Sequence, residues 1–183
     1  MLECPQPIFV SHSMQKTIAA SLITLALAGC AHYTGEGLSE GRSSEADVLQ
    51  AMGEPAMRWN LPDGRKQLAY PRGPAGYHTF MVYLDSAGHF QRRVNVLEPE
   101  TMALIREGMS EAQVLQLIGP PQPHWTMHFP RRSEVALEWR FCDDWGEASR
   151  FDVILDENTR TVRTAYARSE SSFVMNRGDL CSR

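Results

Sequence analysis

Long apolar runs are scarce in this chain. The run Ile18 to Ala28 counts eleven residues, about half of the roughly twenty that a helix needs to cross a hydrocarbon core of ~30 Å, so a spanning helix there is disfavoured. A basic excess is missing too: 18 Lys and Arg stand against 22 Asp and Glu, for a net charge of −4. No basic stripe is present, which argues against a nucleic-acid partner. Cysteine is rare, with four in the chain and no Cys-x-x-Cys pair. The nucleophile elbow, the His-Glu-x-x-His zinc motif and the phosphate-cradling glycine loop are all absent. No catalytic residue, cofactor or metal is therefore expected, and the chain reads as a non-enzyme.

What is present begins with an address. Met14-Gln15-Lys16-Thr17 followed by the apolar run has the layout of a secretory signal, and residues 1–13, with Glu3, Pro5 and Pro7, read as an upstream extension. Leu27-Ala28-Gly29-Cys30 resembles the bacterial lipobox, which implies cleavage before Cys30 and acylation of its sulfur and new amino group. A single acyl chain binds a membrane only marginally, and two or more hold it. With Ala31 rather than Asp after the cysteine, the resemblance implies the periplasmic face of the outer membrane. Cys4 leaves with the leader. Cys142 and Cys181 remain, either as a disulfide of an oxidising compartment or as two separate thiols.

Within the exported part, Ser44 to Pro55 (SEADVLQAMGEP) returns at Ser110 to Pro121 (SEAQVLQLIGPP). Each copy starts with a serine able to cap a helix, and Gln113 completes a capping box in the second. Val48, Leu49 and Met52, like Val114, Leu115 and Ile118, share one helical face, and Gly53 and Gly119 end each helix. A further helix is expected over Glu98 to Glu107, with Pro99 in its first turn. Trp59 matches Trp125 at the same offset, Tyr70 matches Trp139, and Phe80 to Asp85 matches Phe151 to Asp156. Val135, Leu137, Trp139 and Phe141 alternate with polar neighbours, as in a strand with one buried face.

The expected fold class is α+β: two tandem repeats, residues 44–97 and 98–168, each of short helices on a three- to four-stranded antiparallel meander. Residues 14–29 form the signal, 30–43 a flexible tether and 169–183 a polar tail. A unit of this size buries only about 60% of its unfolded surface, so the two should pack together.

The Ser, Glu, Ala, Val, Leu, Gly and Pro pattern of Ser110 to Pro121, preceded by Gly108-Met109, resembles the helix-turn segment of the SmpA/OmlA (BamE-like) lipoprotein domain family. The tandem layout is similar to the β-lactamase-inhibitor-protein fold. The resemblance implies a non-catalytic scaffold that contacts envelope proteins in outer-membrane assembly, as a monomer or within a hetero-complex. The alternatives are a lipid-anchored inhibitor of a periplasmic enzyme and a small-ligand or peptidoglycan binder.

Candidate contact residues follow from differences between the halves. Cys142-Asp143-Asp144-Trp145-Gly146 joins two strands where the first half has Pro71 to Gly76, and divergent loops on a repeated scaffold are where function sits. Asp143, Asp144 and Trp145 are therefore expected to contact a partner. Met81, Tyr83 and Arg93 are expected on an outer face of the first sheet that either receives a partner protein or packs against the sister unit, and Glu138, Arg140, Asp152 and Arg163 in exposed cross-strand ion pairs on the second. Trp59 and Trp125 read as core anchors. His124 and His128, ringed by prolines, read as surface histidines.

Overall fold

The computed structural model describes residues 35–72, 76–170 and 181. The folded unit is α+β, with two four-stranded antiparallel sheets and few, short helices. Helix α1 (Glu45–Met52) precedes β1 (Met57–Asn60), β2 (Lys66–Pro71), β3 (Thr79–Leu84) and β4 (Phe90–Asn95), which form sheet 1 in sequence order. A short α2 (Pro99–Met102) and α3 (Glu111–Ile118) then precede β5 (Met127–Phe129), β6 (Glu134–Cys142), β7 (Ala148–Asp156) and β8 (Val162–Ser169), which form sheet 2 in the same order.

The two helices are punctuated alike. The hydroxyls of Ser44 and Ser110 accept from the amides of Asp47 and Gln113, whose side chains accept in return from the serine amides at 2.7 and 2.9 Å. Asp47 thus completes a capping box in the first helix as well. Gly53 and Gly119 end the helices with φ of 79° and 77° and extended ψ, a region that only glycine occupies readily.

Strand register agrees between the halves too. Tyr70 opposes Phe80 as Trp139 opposes Phe151, and both last hairpins carry a β-bulge one step before the turn, at Tyr83/Leu84 and Ile154/Leu155. The isolated bridges Ser44–His89 and Ser110–Thr161 correspond as well. Register also corrects one equivalence. Trp59 pairs with Gln67, and the residue in the same place of sheet 2 is Met127, opposite Ala136. Trp125 lies earlier, in a 3-10 turn (Pro123–Trp125). Both tryptophans are half-buried.

Helix α1 packs Val48 and Met52 on one face of sheet 1, against Leu68, Tyr70, Val82 and Leu84. The other face, carrying Ala69 and Met81, joins the larger core that α3 forms with sheet 2. Strand β2 is consequently buried on both faces, and the order of layers is α1, sheet 1, α3, sheet 2. Gln67 ties the middle layers by donating to the carbonyl of Gln116 at 2.6 Å. From the far side, the buried Trp139 indole donates to Gly119 O at 3.2 Å.

Several expectations are corrected here. The helix expected over Glu98 to Glu107 stops at Met102 and continues as tight turns that bury Ile105. The chain must unwind so that Gly108 and Met109 can bond to both sides of Val162. The expected tether is, from Gly35 on, part of the fold: Leu38 packs on the first core and Gly41 donates to Phe90 O at 2.8 Å. Ser169 belongs to β8, and Glu170 pairs with Arg140 rather than joining a free tail.

Candidate functional site

The turn between β6 and β7 is built around one carboxylate. Asp143 Oδ1 accepts from the amides of Trp145 and Glu147, both at 2.9 Å, and Oδ2 accepts from Ser149 Oγ at 3.1 Å. Gly146, at φ 74°, closes the turn by donating to Asp143 O at 3.1 Å. These bonds fix the loop, and with it Trp145, which is 86% exposed, the most of the large apolar side chains among the described residues. Cys142 and Cys181 stand at disulfide separation beneath the turn, with Cα atoms 5.8 Å apart, and the Cys181 amide donates to Gly146 O at 2.9 Å.

Beside the turn lies a groove of about 610 Å³. Its floor is the helix-facing side of sheet 2, with Phe141 and Phe151, and its edge is Ala165 and Ala167 of β8. Met102 and Ile105 form the opposite wall. Trp145, largely exposed, stands at the rim with Asp144, and Tyr166 borders the groove from the edge strand while it opposes Asp152 of the other face. A trough with an apolar floor, Arg106 and Asp144 on its polar border and a tryptophan at its mouth suits a side chain or peptide segment that leaves water there.

The expected contact residues therefore divide. Trp145 and Asp144 are exposed at the groove. Asp143 also lines it, but its oxygens are engaged in holding the turn. Met81 is corrected as a partner contact: it is fully buried, because α3 of the following half covers that face. Tyr83 packs at the margin of that same core with Arg92 over its ring at 4.6 Å. Arg93 is corrected as well, since it opposes Val82 and lies over Phe80 on the α1 side of the sheet. Tyr166, Met102 and Ile105 were not legible as groove residues, because only the tertiary path brings them to the hairpin.

The outer face of sheet 2 differs most from expectation. Glu138 and Asp152 are 1% and 3% exposed. Glu138 accepts from Arg150 at 2.5 Å and from Arg168, which also holds Asp152. Glu170 receives Arg140 and Arg150 at 2.6 and 2.9 Å. The rings of Trp125 and Tyr77 cover Arg150 and Arg140 at 4.2 and 4.4 Å, so Trp125 anchors this ionic layer and not the apolar core. Burial, and then the neighbouring Asp152, raise the pKa of Glu138. Arg163 pairs elsewhere, with Asp156 and Glu134.

Among the described residues no group of three His, Cys, Asp or Glu side chains could hold a metal ion. His124 and His128 are exposed, the latter 3.6 Å from Glu157. No described helix is long and apolar enough to cross a membrane. Cys30 lies outside the described residues. No family model matches the chain, and neither a curated protein nor a solved structure does.

Proposed function

We propose that this chain is a non-catalytic protein-interaction scaffold, anchored through acyl groups on Cys30 to the periplasmic face of the outer membrane, where it serves envelope assembly. In this reading the folded unit is a tandem pair of one BamE-like module, residues 44–97 and 98–168, arranged as in the β-lactamase-inhibitor-protein-like fold. The paired capping boxes, bulges and bridges support common descent of the halves. The acyl anchor would raise the effective concentration of the domain for its membrane neighbours, and an oxidising periplasm would close the Cys142–Cys181 bond.

The observation that carries the reading is the exposed Trp145 on a turn locked by Asp143, at the mouth of a groove with an apolar floor. Holding a large aromatic in water is unfavourable unless a partner covers it, and tryptophans of this kind dominate binding energy at interfaces. In cells, chemical crosslinking and mass spectrometry of the full-length chain should give a defined set of envelope partners. Trp145→Ala should weaken their capture by about tenfold or more with the fold intact. An unchanged partner set would overturn the assignment of this site.

A further inference from the structure

Each sheet clamps the start of its last strand, and among the described residues no strand lies along the outer side of the rest of it. In sheet 1, Phe90 donates to Ser43 O and accepts from Gly41; in sheet 2, Val162 donates to Met109 O and accepts from Gly108. Beyond the clamps, alternate backbone groups point out of the sheet. Among the described residues those of 163–167 meet no backbone partner other than β7. Such a row is a template for one more strand.

The two edges are guarded unequally. Strand β4 carries Arg92 and Arg93 at its centre, both exposed, and charge on an edge discourages pairing. The stretch of β8 at the same register is Thr164-Ala165-Tyr166-Ala167. Its charges, Arg163 and Arg168, stand at the ends of the stretch and are held in ion pairs; between them it is uncharged, small-sided at two positions, and borders the groove.

We propose that β8 receives an extended segment of a partner protein, added antiparallel along residues 163–167. One apolar side chain of that segment enters the groove against Phe141 and Phe151, and a basic residue at its N-terminal end meets the exposed Glu147 of the β6–β7 turn. This rests on the scaffold reading and names how the partner is held. An open edge beside a pocket is the arrangement in which main-chain bonds supply affinity and alternate side chains supply choice. The antiparallel direction continues a sheet in which every pairing is antiparallel. The polarity of charge follows from register. Ser149 pairs with Ser169, so the β6–β7 turn sits at the C-terminal end of β8, where an antiparallel newcomer begins. The exposed acid Glu147 is there.

A display library of random segments of about twelve residues selected against the full-length chain in detergent tests this. Enriched peptides should alternate apolar and polar positions, carry Lys or Arg near their N-termini, and lack proline at mid-segment. Their binding should slow amide exchange of residues 163–167 by about tenfold or more. Ala167→Lys should weaken them by a similar factor, and Val94→Lys on the β4 edge should not. Absence of enrichment, peptides that protect other residues, or protection of 163–167 by a second copy of the chain without peptide would each overturn the proposal. Any of these, alongside crosslinks that depend on Trp145, removes strand addition and leaves the scaffold reading standing. Crosslinks indifferent to Trp145 remove the contact site assigned to that reading.

Discussion

Asp85 and Asp156 occupy matching turns at the ends of β3 and β7, and both point an oxygen at the amides that follow. Asp85 accepts from Ala87 and His89, and Asp156 from Asn158 and Thr159, with Arg163 on its second oxygen at 2.6 Å. The Thr159 amide, and then Arg163, hold the Asp156 carboxyl at about 2, against an ordinary 3.8. The His89 amide lowers Asp85 in the same direction. A lowered carboxyl pKa means that the folded state binds the proton less readily than the unfolded chain. Asp156 therefore stabilises the fold above its ordinary value, and that stabilisation is lost as pH falls through about 2. Asp156→Asn should be less stable than the parent at pH 5, and the gap should narrow toward pH 2 in urea unfolding curves. A gap that stays constant would remove the titration from the account.

Strand β6 was legible by its alternation, and its core-facing set Val135, Leu137, Trp139 and Phe141 is buried as the pattern implies. The same alternation misjudged the opposite face, because polarity alone does not distinguish a solvated carboxylate from one enclosed by arginines. Glu138 is enclosed because β7 and β8 place Arg150 and Arg168 on it and Trp125 of the Pro123–Trp125 turn lies against Arg150. Removing one partner of a buried ion pair leaves the other uncompensated. Glu138→Ala is expected to cost about 3 kcal/mol, measured by urea unfolding. A loss near that of a surface pair, under about 1 kcal/mol, would mean that water reaches the layer. The sign of its pH response is opposite to that of Asp156. With a raised pKa, Glu138 favours the folded state at low pH, and this contribution is lost as pH rises through the raised value.

At the scale of the whole molecule, the question is how two small α+β halves become one unit. Sheet 1 is covered twice, by its own α1 and by α3 of the following half, and this second contact brings Thr79 close to Gly119. A Cβ on Gly119 would stand 2.7 Å from Thr79 Cγ2, whereas one on Gly53 would meet nothing within 4 Å. Both glycines share the same glycine-only backbone region, whose occupation by alanine costs about 1–3 kcal/mol. Gly119→Ala should therefore exceed Gly53→Ala by about 1 kcal/mol or more, from overpacking. Equal losses by thermal or urea unfolding would mean that α3 does not bear on sheet 1.

The local elements were written in the chain itself. Ser44 and Ser110, Gly53 and Gly119, and the period-two runs of β3, β6 and β7 set helices, stops and strands through short-range hydrogen bonding and burial patterns that need no distant partner. The turn of Trp145 was equally visible, since its residues are contiguous and its rule is local. Tertiary structure alone decided that Met81 is buried and not exposed, that Arg93 shares a face with Val82, and that Glu138 is enclosed. It also gathered Phe141, Met102 and Ala165 into one groove beside Trp145. Those outcomes depend on which faces the folded layers press together, and the free energy of that pressing is spread over residues far apart in the chain.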